Sequence, residues 1–305
     1  MTQALARFAF RGLPQAVLLI VASELLALLF PPAGLIGAAV IALLSLRSGA
    51  ASGFNALLLG AVTLTLIFAA AGMPPAISFA AGVAQWAPVY VLALALRLSR
   101  DWTLTLQVGA GIGLLGVLAL HLMFPDITES WRQLLKEYLE PVLSQSGKAA
   151  EETGPLLESL ATRMTGLLWA SVLLSSLMAL MLGRQMQAAL FNPGGFSAEF
   201  RELRTGLWPA ALGLALIAAS LVSDARILDD LLFVLGALYL VQGVAVVYAL
   251  VIGAGAGRKW STPAIVLAML AVVMLLGPMM TLLSGLGLAD TFADFRRRFL
   301  RRNTD

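Results

Sequence analysis

The sequence holds no cysteine, a single histidine, and charged residues at only 12% of its 305 positions. Without cysteine there are no disulfides, thiol nucleophiles or thiolate metal sites. One histidine excludes every motif that needs two, the HExxH zinc helix among them. No GxSxG elbow and no P-loop occurs. GAGAG at 253–257 follows an apolar run instead of a strand, so it is no dinucleotide fingerprint. GLGLAD at 285–290 places two residues between its second glycine and the aspartate, unlike the GxGD pattern of intramembrane aspartyl proteases. The chain therefore reads as a non-enzyme, with no cofactor and no metal expected.

The scarcity of charge has its own reason. A soluble domain keeps about 25% charged residues because its surface faces water. Here 60% of residues are hydrophobic and the mean hydropathy is +0.90, as for a surface that faces lipid. The net charge is only +3, and its excess gathers at the C-terminal end. Nucleic acid is not an expected partner; the lipid bilayer is. The first apolar run continues into Pro31-Pro32 without an A-x-A-like site, so no cleavable signal peptide is expected.

What the chain does have is nine apolar segments: Leu13–Phe30, Ala33–Leu46, Phe54–Ala71, Ala76–Leu96, Trp102–Phe124, Thr165–Phe191, Leu207–Ser223, Leu231–Ala254 and Thr262–Leu286. A helix needs about 20 residues to cross the hydrocarbon. Ala33–Leu46 falls short of that and is read as short, tilted or re-entrant. The expected fold is an all-α polytopic membrane protein with eight or nine transmembrane or re-entrant helices. Four regions follow: a first membrane block over 1–124, a periplasmic amphipathic helical segment over 125–164, a second membrane block over 165–289, and a basic tail over 290–305. In the first block Gly109 and Gly113 form a small-xxx-small pair, which lets helix backbones approach closely in lipid.

Orientation is read from the arginines and lysines of short loops. With the N-terminus cytoplasmic, the inner loops hold Arg47, Arg97, Arg100, Arg184, Arg201, Arg204, Arg258 and Lys259. The outer connections, the long polar interval apart, hold only Arg226. The localisation that follows is a bacterial inner membrane. Nine crossings would place FRRRFLRR (295–302) outside, so eight crossings with both termini inside are favoured, the final run being the exception, broken at Gly277-Pro278.

In the polar interval Asp126 and Glu129 resemble a capping box. After them Trp131, Leu134, Leu135, Tyr138, Leu139 and Val142 form one apolar stripe. A second helix is expected to start at Gly154-Pro155 and run on into the next span. The first is read as lying on the outer membrane surface, with a lid over a cavity or a partner-docking helix as alternatives. At the C-terminal end Asp290 is a candidate cap for a helix with Phe292, Phe295 and Phe299 on one stripe. Arg296, Arg297, Arg298, Arg301 and Arg302 surround that stripe, as in an interfacial helix on anionic lipid or a dock for a membrane or cytoplasmic protein.

An ionisable group inside a bilayer is costly unless paired or hydrated, which makes it a functional candidate. Glu24, midway in Leu13–Phe30, is the first of these and His121 the second. Asn55, Gln85, Gln107 and Gln242 are polar candidates, with Trp86 and Tyr239 beside them. Glu24, Asn55, Gln85, Trp86, Gln107 and His121 form the tentative ligand set. Glu24 is expected to find its partner in His121 or in an amide of Asn55, Gln85 or Gln107, since no lysine or arginine lies equally deep.

The pattern Gly285, Gly287, Asp290, Asp294, Phe295, Arg296 at the C-terminal end, with RSGAASGFNALLLGA after the second run, resembles the YybS-like family of bacterial membrane proteins. That family is similar, distantly, to the S components of energy-coupling-factor vitamin transporters. The resemblance implies capture of a small molecule from outside and its passage across the membrane. The expected function is accordingly of transporter type, with a small-molecule ligand. The alternative is a scaffold or assembly factor that recruits partners through the polar segment or the basic tail.

Overall fold

The computed structural model describes residues 2–145, 150–253 and 277–302. These residues are helical throughout, and no strand occurs among them. In order they are α1 (Thr2–Ala9), α2 (Leu13–Ala27), a 3₁₀ turn (Pro31–Ala33), α3 (Gly34–Arg47), α4 (Ala50–Ala70), α5 (Pro75–Ser99), α6 (Trp102–Met123), α7 (Ile127–Gln145), α8 (Ala150–Ala161), α9 (Met164–Phe191), α10 (Gly195–Arg201), α11 (Leu207–Ser220), α12 (Arg226–Gly253), α13 (Gly277–Ala293) and α14 (Phe295–Arg302). Five helices, α4, α5, α6, α9 and α12, are long and apolar enough to cross a membrane. Between Leu231 and the end of α12 few side chains reach the surface, so this helix sits deepest. Much of the expected Thr262–Leu286 run and the loop residues Arg258 and Lys259 lie outside the described residues.

The polar interval separates two blocks in sequence but not in space. Buried residues of α2 to α6 and of α9 and α12 form one continuous core. Helix α3 lies at its centre, with Ala39 to Leu43 fully buried. Close packing there depends on small residues. A Cβ on Gly183 of α9 would lie 2.7 Å from the Ala39 carbonyl oxygen and 2.8 Å from Ala42 Cβ of α3. Gly109 and Gly113 accept Leu173 of α9 and Val234 of α12 against the backbone of α6. The small-residue face thus serves two neighbours.

Side-chain bonds establish which helix ends share a face. Arg97, near the end of α5, donates to the Ser45 and Leu46 carbonyls at 3.0 and 3.1 Å and so satisfies the C-terminus of α3. Arg47 lies over the Phe191 ring at the end of α9. Glu199 of α10 accepts from Trp102 Nε1 at the start of α6 (3.0 Å) and pairs with Arg184 of α9. Gln3 of α1 donates to the Ala189 carbonyl. These contacts gather Arg47, Arg97 and Arg184 on one face, together with α1. Helices α12 and α13 run in the same direction, because Ser284 bonds the Gly236 carbonyl and Gln242 bonds that of Gly287. Helix α13 therefore ends on the arginine-rich face, as α1 begins on it.

The opposite face carries α7 and α8. Asp126 accepts from the Glu129 amide (3.1 Å) as an N-cap, while the Glu129 carboxylate turns to Arg132 instead of closing a capping box. Part of the apolar stripe of α7 packs against α8. Leu135 packs with Leu157 and Ala161 of α8, and Trp131 and Leu139 join them. Trp131 Nε1 donates to Thr165 Oγ1 of α9 at 2.9 Å. Arg132 clamps Glu158 through Nε (2.7 Å) and Nη2 (2.9 Å). Its hydrogen bond holds the Glu158 carboxyl below the ordinary carboxylate range, and the same bond raises the arginine. On α7, Leu134 and Tyr138 are exposed. Helix α8 starts at Ala150 with Pro155 inside it, and it is separate from α9, the break falling at Thr162-Arg163.

The C-terminal end departs from the expectation in the same way. Arg296 is no membrane-surface residue: it is 4% exposed and reaches inward. It pairs with the fully buried Asp290 at 2.7 Å and donates to the Arg201 and Leu203 carbonyls at 2.7 and 2.9 Å. A buried carboxylate and two carbonyls outbid solvent for this one guanidinium, because each would otherwise be desolvated without a donor. Asp290 also accepts from the Phe295 amide (3.0 Å), so it does cap α14, although from within α13. The break between the two helices is Asp294, held at φ 47°. Its carboxyl loses solvent, which raises its pKa, but the hydrogen bond and charge of Arg204, with the amide and charge of Arg297, together outweigh this and leave it below the ordinary range. Arg297 and Arg298 are exposed, whereas the side chains of Phe299, Arg301 and Arg302 lie outside the described residues.

Candidate functional site, a cavity at the tip of a short helical hairpin

Helix α2 ends at Ala27, three residues short of the end of its apolar run. Leu28 and Leu29 turn, Phe30 is extended (φ −138°, ψ 88°) as a residue before proline must be, and Pro31-Pro32 open the 3₁₀ turn into α3. Glu24 thus sits in the last turn of α2, not at the middle of a span. Its depth follows from the neighbours. At 1.5 Å per residue, Gln85 lies about 21 Å from the arginine-face end of α5 and Ser175 about 24 Å from that of α9, while α2 is about 22 Å long. Both α5 and α9 continue past this level by about 15 Å. The α2–α3 hairpin therefore stops part-way along its neighbours, and its tip carries the carboxylate.

Beside the tip is an open cavity of about 290 Å³. Glu24 and Ala27 line it from α2, Pro31, Gly34, Leu35 and Ala38 from the turn and α3, Gln85 and Val89 from α5, and Ser175 from α9. Towards the arginine-rich face it is closed by α3, whose next residues are fully buried. Towards the other face the tip residues 28–32 and the α5 residues 76–77 and 79–81 are exposed, and the lining residues Gln85 and Ser175 are exposed as well.

Gln85 Nε2 donates to Glu24 Oε1 at 2.9 Å. The other carboxylate oxygen, Oε2, is buried and has no partner among the described residues. Gly34 lies against the pair: a Cβ there would sit in ordinary van der Waals contact, 3.4 Å from Oε2 and 3.7 Å from Gln85 Nε2. The Ser175 hydroxyl donates to the Val172 carbonyl (3.2 Å), which leaves its lone pairs to the cavity. An unsatisfied buried polar atom costs about 1–3 kcal/mol, more for a charged group. The site is thus an apolar hollow with a carboxylate oxygen in need of a donor.

The remaining tentative ligand residues lie elsewhere. Trp86 is fully buried in the core, its ring against Gly60 on the side of α5 away from the cavity-lining Gln85. Asn55 is exposed on α4. Gln107 donates to the Thr205 carbonyl (2.9 Å) and belongs to the arginine-rich end. Gln242 accepts from the Thr205 amide and hydroxyl (2.8 and 2.7 Å), joining α12 to the segment before α11.

His121 is not a partner of Glu24. Its Nε2 lies 3.3 Å from Asp230 of α12, and its Nδ1 lies 3.1 Å from the Val117 carbonyl. Asp230 also accepts from the Gly166 amide at 2.8 Å, so it caps α9 while holding α6. This junction pins three helices at the face opposite the arginines. Asp230 escaped the sequence reading because it falls one residue before an apolar run, where an aspartate reads as a loop residue. Ser175 was missed because a serine in a span usually bonds its own helix, which it also does here. Among the described residues no group of acidic or histidine side chains is placed to hold a metal ion.

No protein-family model, curated protein or solved structure matches the chain.

Proposed function

We propose that this is a bacterial inner-membrane protein of transporter type, which takes a small molecule into the Glu24–Gln85 cavity from the outer side. The observation that carries the reading is a carboxylate, Glu24, on the lining of a cavity of about 290 Å³ set part-way through the helical bundle, with one of its oxygens unpaired among the described residues. The arginine-rich face is cytoplasmic by the positive-inside rule. Both termini then lie inside, and helices α2, α3, α4, α5, α6, α9, α11 and α12 alternate in direction, with α2 and α3 as a re-entrant hairpin. On this orientation α7 and α8 are periplasmic. The resemblance to the YybS-like family points the same way but supplies no residue of the site.

The test is a thermal-shift screen of the purified protein against vitamins, nucleosides, amines and lipid precursors. A ligand present at 100 times its Kd stabilises the fold by about 2.7 kcal/mol. At least one compound should raise the Tm of the wild type and leave Glu24→Gln unmoved. The scaffold alternative draws on the exposed Tyr138 and Leu134 of α7. Capture of a stoichiometric protein through that face, with no ligand found, would replace the transport reading.

A further inference from the structure

We infer that the cavity takes a small organic cation, a primary or secondary amine with a short apolar body, and that the amine and a proton compete for the Glu24 carboxylate. The inference rests on the reading of the cavity as a ligand site and adds the chemical class of ligand.

The argument is a count of donors and acceptors. The residues that line the cavity bring the Glu24 carboxylate, the lone pairs of Ser175 Oγ and the side-chain oxygen of Gln85, all acceptors. Gln85 Nε2 spends one of its two N–H donors on Glu24 Oε1 and keeps the other. An anion would meet a carboxylate without a counter-charge, and a neutral acceptor would find that one N–H and leave the carboxylate unpaired. An ammonium group brings two or three N–H donors and the opposite charge. The rest of the lining, Ala27, Leu35, Ala38 and Val89, matches an apolar body.

No other titratable group faces Glu24. On the helices around it the charged residues of described placement are Arg47 of α3, Arg97 of α5 and Arg184 of α9, all at the arginine-rich end and engaged there. Helices α2 and α4 carry no further charge. The cavity's charge is therefore set at one carboxylate. With a proton on it the site is neutral and the carboxyl becomes a donor. With the ammonium in place the carboxylate is ionised and the site is again neutral. Loading one cation thus releases one proton, and returning the proton expels the cation. This is the stoichiometry of one-for-one exchange.

The probes are benzylamine, benzyl alcohol and benzoate, one apolar body with a cationic, a neutral and an anionic head. Calorimetry in buffers of different ionisation enthalpy reads the protons released per amine bound. Benzylamine should bind with close to one proton released wherever the empty site holds its proton, its affinity falling about tenfold per pH unit over that range. Glu24→Gln should abolish that binding, while alcohol and acid bind at least tenfold more weakly throughout. Because Glu24→Gln can fail to fold, a second reading keeps the glutamate. Ser175→Cys in the otherwise cysteine-free chain should react at least tenfold faster with a trimethylammonium-ethyl than with a sulfonato-ethyl methanethiosulfonate, after correction for free-thiol rates. That preference should vanish in acid. Absence of benzylamine binding, binding without proton release, or equal affinity for benzyl alcohol would overturn the cation assignment. In each of these cases a Ser175→Cys thiol that reacts with the reagents leaves the cavity reading standing. A thiol that reacts with neither reagent removes the cavity reading and this inference together.

Discussion

Removal of the Arg296 side chain should damage the fold far more than removal of its neighbours Arg297 and Arg298. Arg296→Ala leaves Asp290, fully buried, without its counter-charge. The Arg201 and Leu203 carbonyls lose their donor in the same step. Only the Phe295 amide at 3.0 Å and the Gln242 amide group at 3.5 Å remain near the carboxylate. Breaking one side of a buried pair costs about 3–5 kcal/mol, because the other charge stays behind. A chain of this size loses roughly 2–3 °C of Tm per kcal/mol, so a fall of about 6–15 °C is expected. Arg297→Ala and Arg298→Ala, at exposed positions, should stay within about 0.5 kcal/mol of the wild type. Asp290→Ala should match Arg296→Ala, and the double variant should cost well under the sum, since the two residues form one unit. The assay is thermal unfolding in detergent micelles, followed by circular dichroism with the four single variants side by side. If Arg296→Ala behaves like Arg297→Ala, the tail lies on lipid and the inward-facing arginine is refuted.

Two further outcomes follow from packing and charge. Gly183→Ala places a methyl group against the Ala39 carbonyl and Ala42, and should cost about 1–3 kcal/mol by crowding. Gly111→Ala in α6, where a Cβ meets nothing within 4 Å, should be neutral or stabilise by up to about 1 kcal/mol; equal Tm values for the two variants would contradict the close α3–α9 approach. The Arg132–Glu158 clamp should be pH-dependent. Its carboxyl is held below the ordinary 4.5, so the clamp is complete above that pH and is lost as the pH falls through the lower, folded value. Spin labels at Gln133 and Ser159 should give one narrow distance at pH 7, broader in Arg132→Ala and broader in the wild type once acid protonates Glu158; equal distributions for wild type and Arg132→Ala at pH 7 would show that the clamp does not hold α7 to α8.

The class of fold was legible from hydropathy alone, because a bilayer allows few spanning structures and the apolar runs are long. The asymmetry of the arginines was legible too, and the contacts of Arg47, Arg97 and Arg184 place these three on one face. Glu24 stood out because a carboxylate in an apolar run carries its cost in the sequence. Which amide meets it did not, since Asn55, Gln85 and Gln107 look alike until packing turns one of them inward. Depth was misjudged for a related reason: Pro31-Pro32 marks the break, but only α5 and α9 show that the break lies inside the bundle. The stripe of α7 and the arginines of α14 are amphipathic patterns, and such a pattern does not say whether its apolar face meets lipid or another helix. Trp131 and Leu135 meet α8. Arg296 differs from Arg297 only through Asp290, six residues earlier, a spacing that no helical repeat predicts across a break at Asp294.

The most direct measurement is the labelling of a cysteine placed at Ser175, on the wall facing the Glu24 carboxylate. The chain has no cysteine of its own, so the single thiol reports without background. Ser175 lies about 24 Å from the arginine-face end of α9, a depth at which a lipid-facing thiol has no water to ionise it. If the cavity is water-filled and opens to the outer side, a membrane-impermeant methanethiosulfonate should modify this cysteine in intact cells. A control cysteine at Ser171, one helical turn nearer the outer end, should react as well, and one at Ala179, fully buried towards the arginine-rich side, should not. A Ser175 thiol that stays unmodified from both sides of the membrane, while the Ser171 control reacts, would contradict the cavity and with it the transport reading.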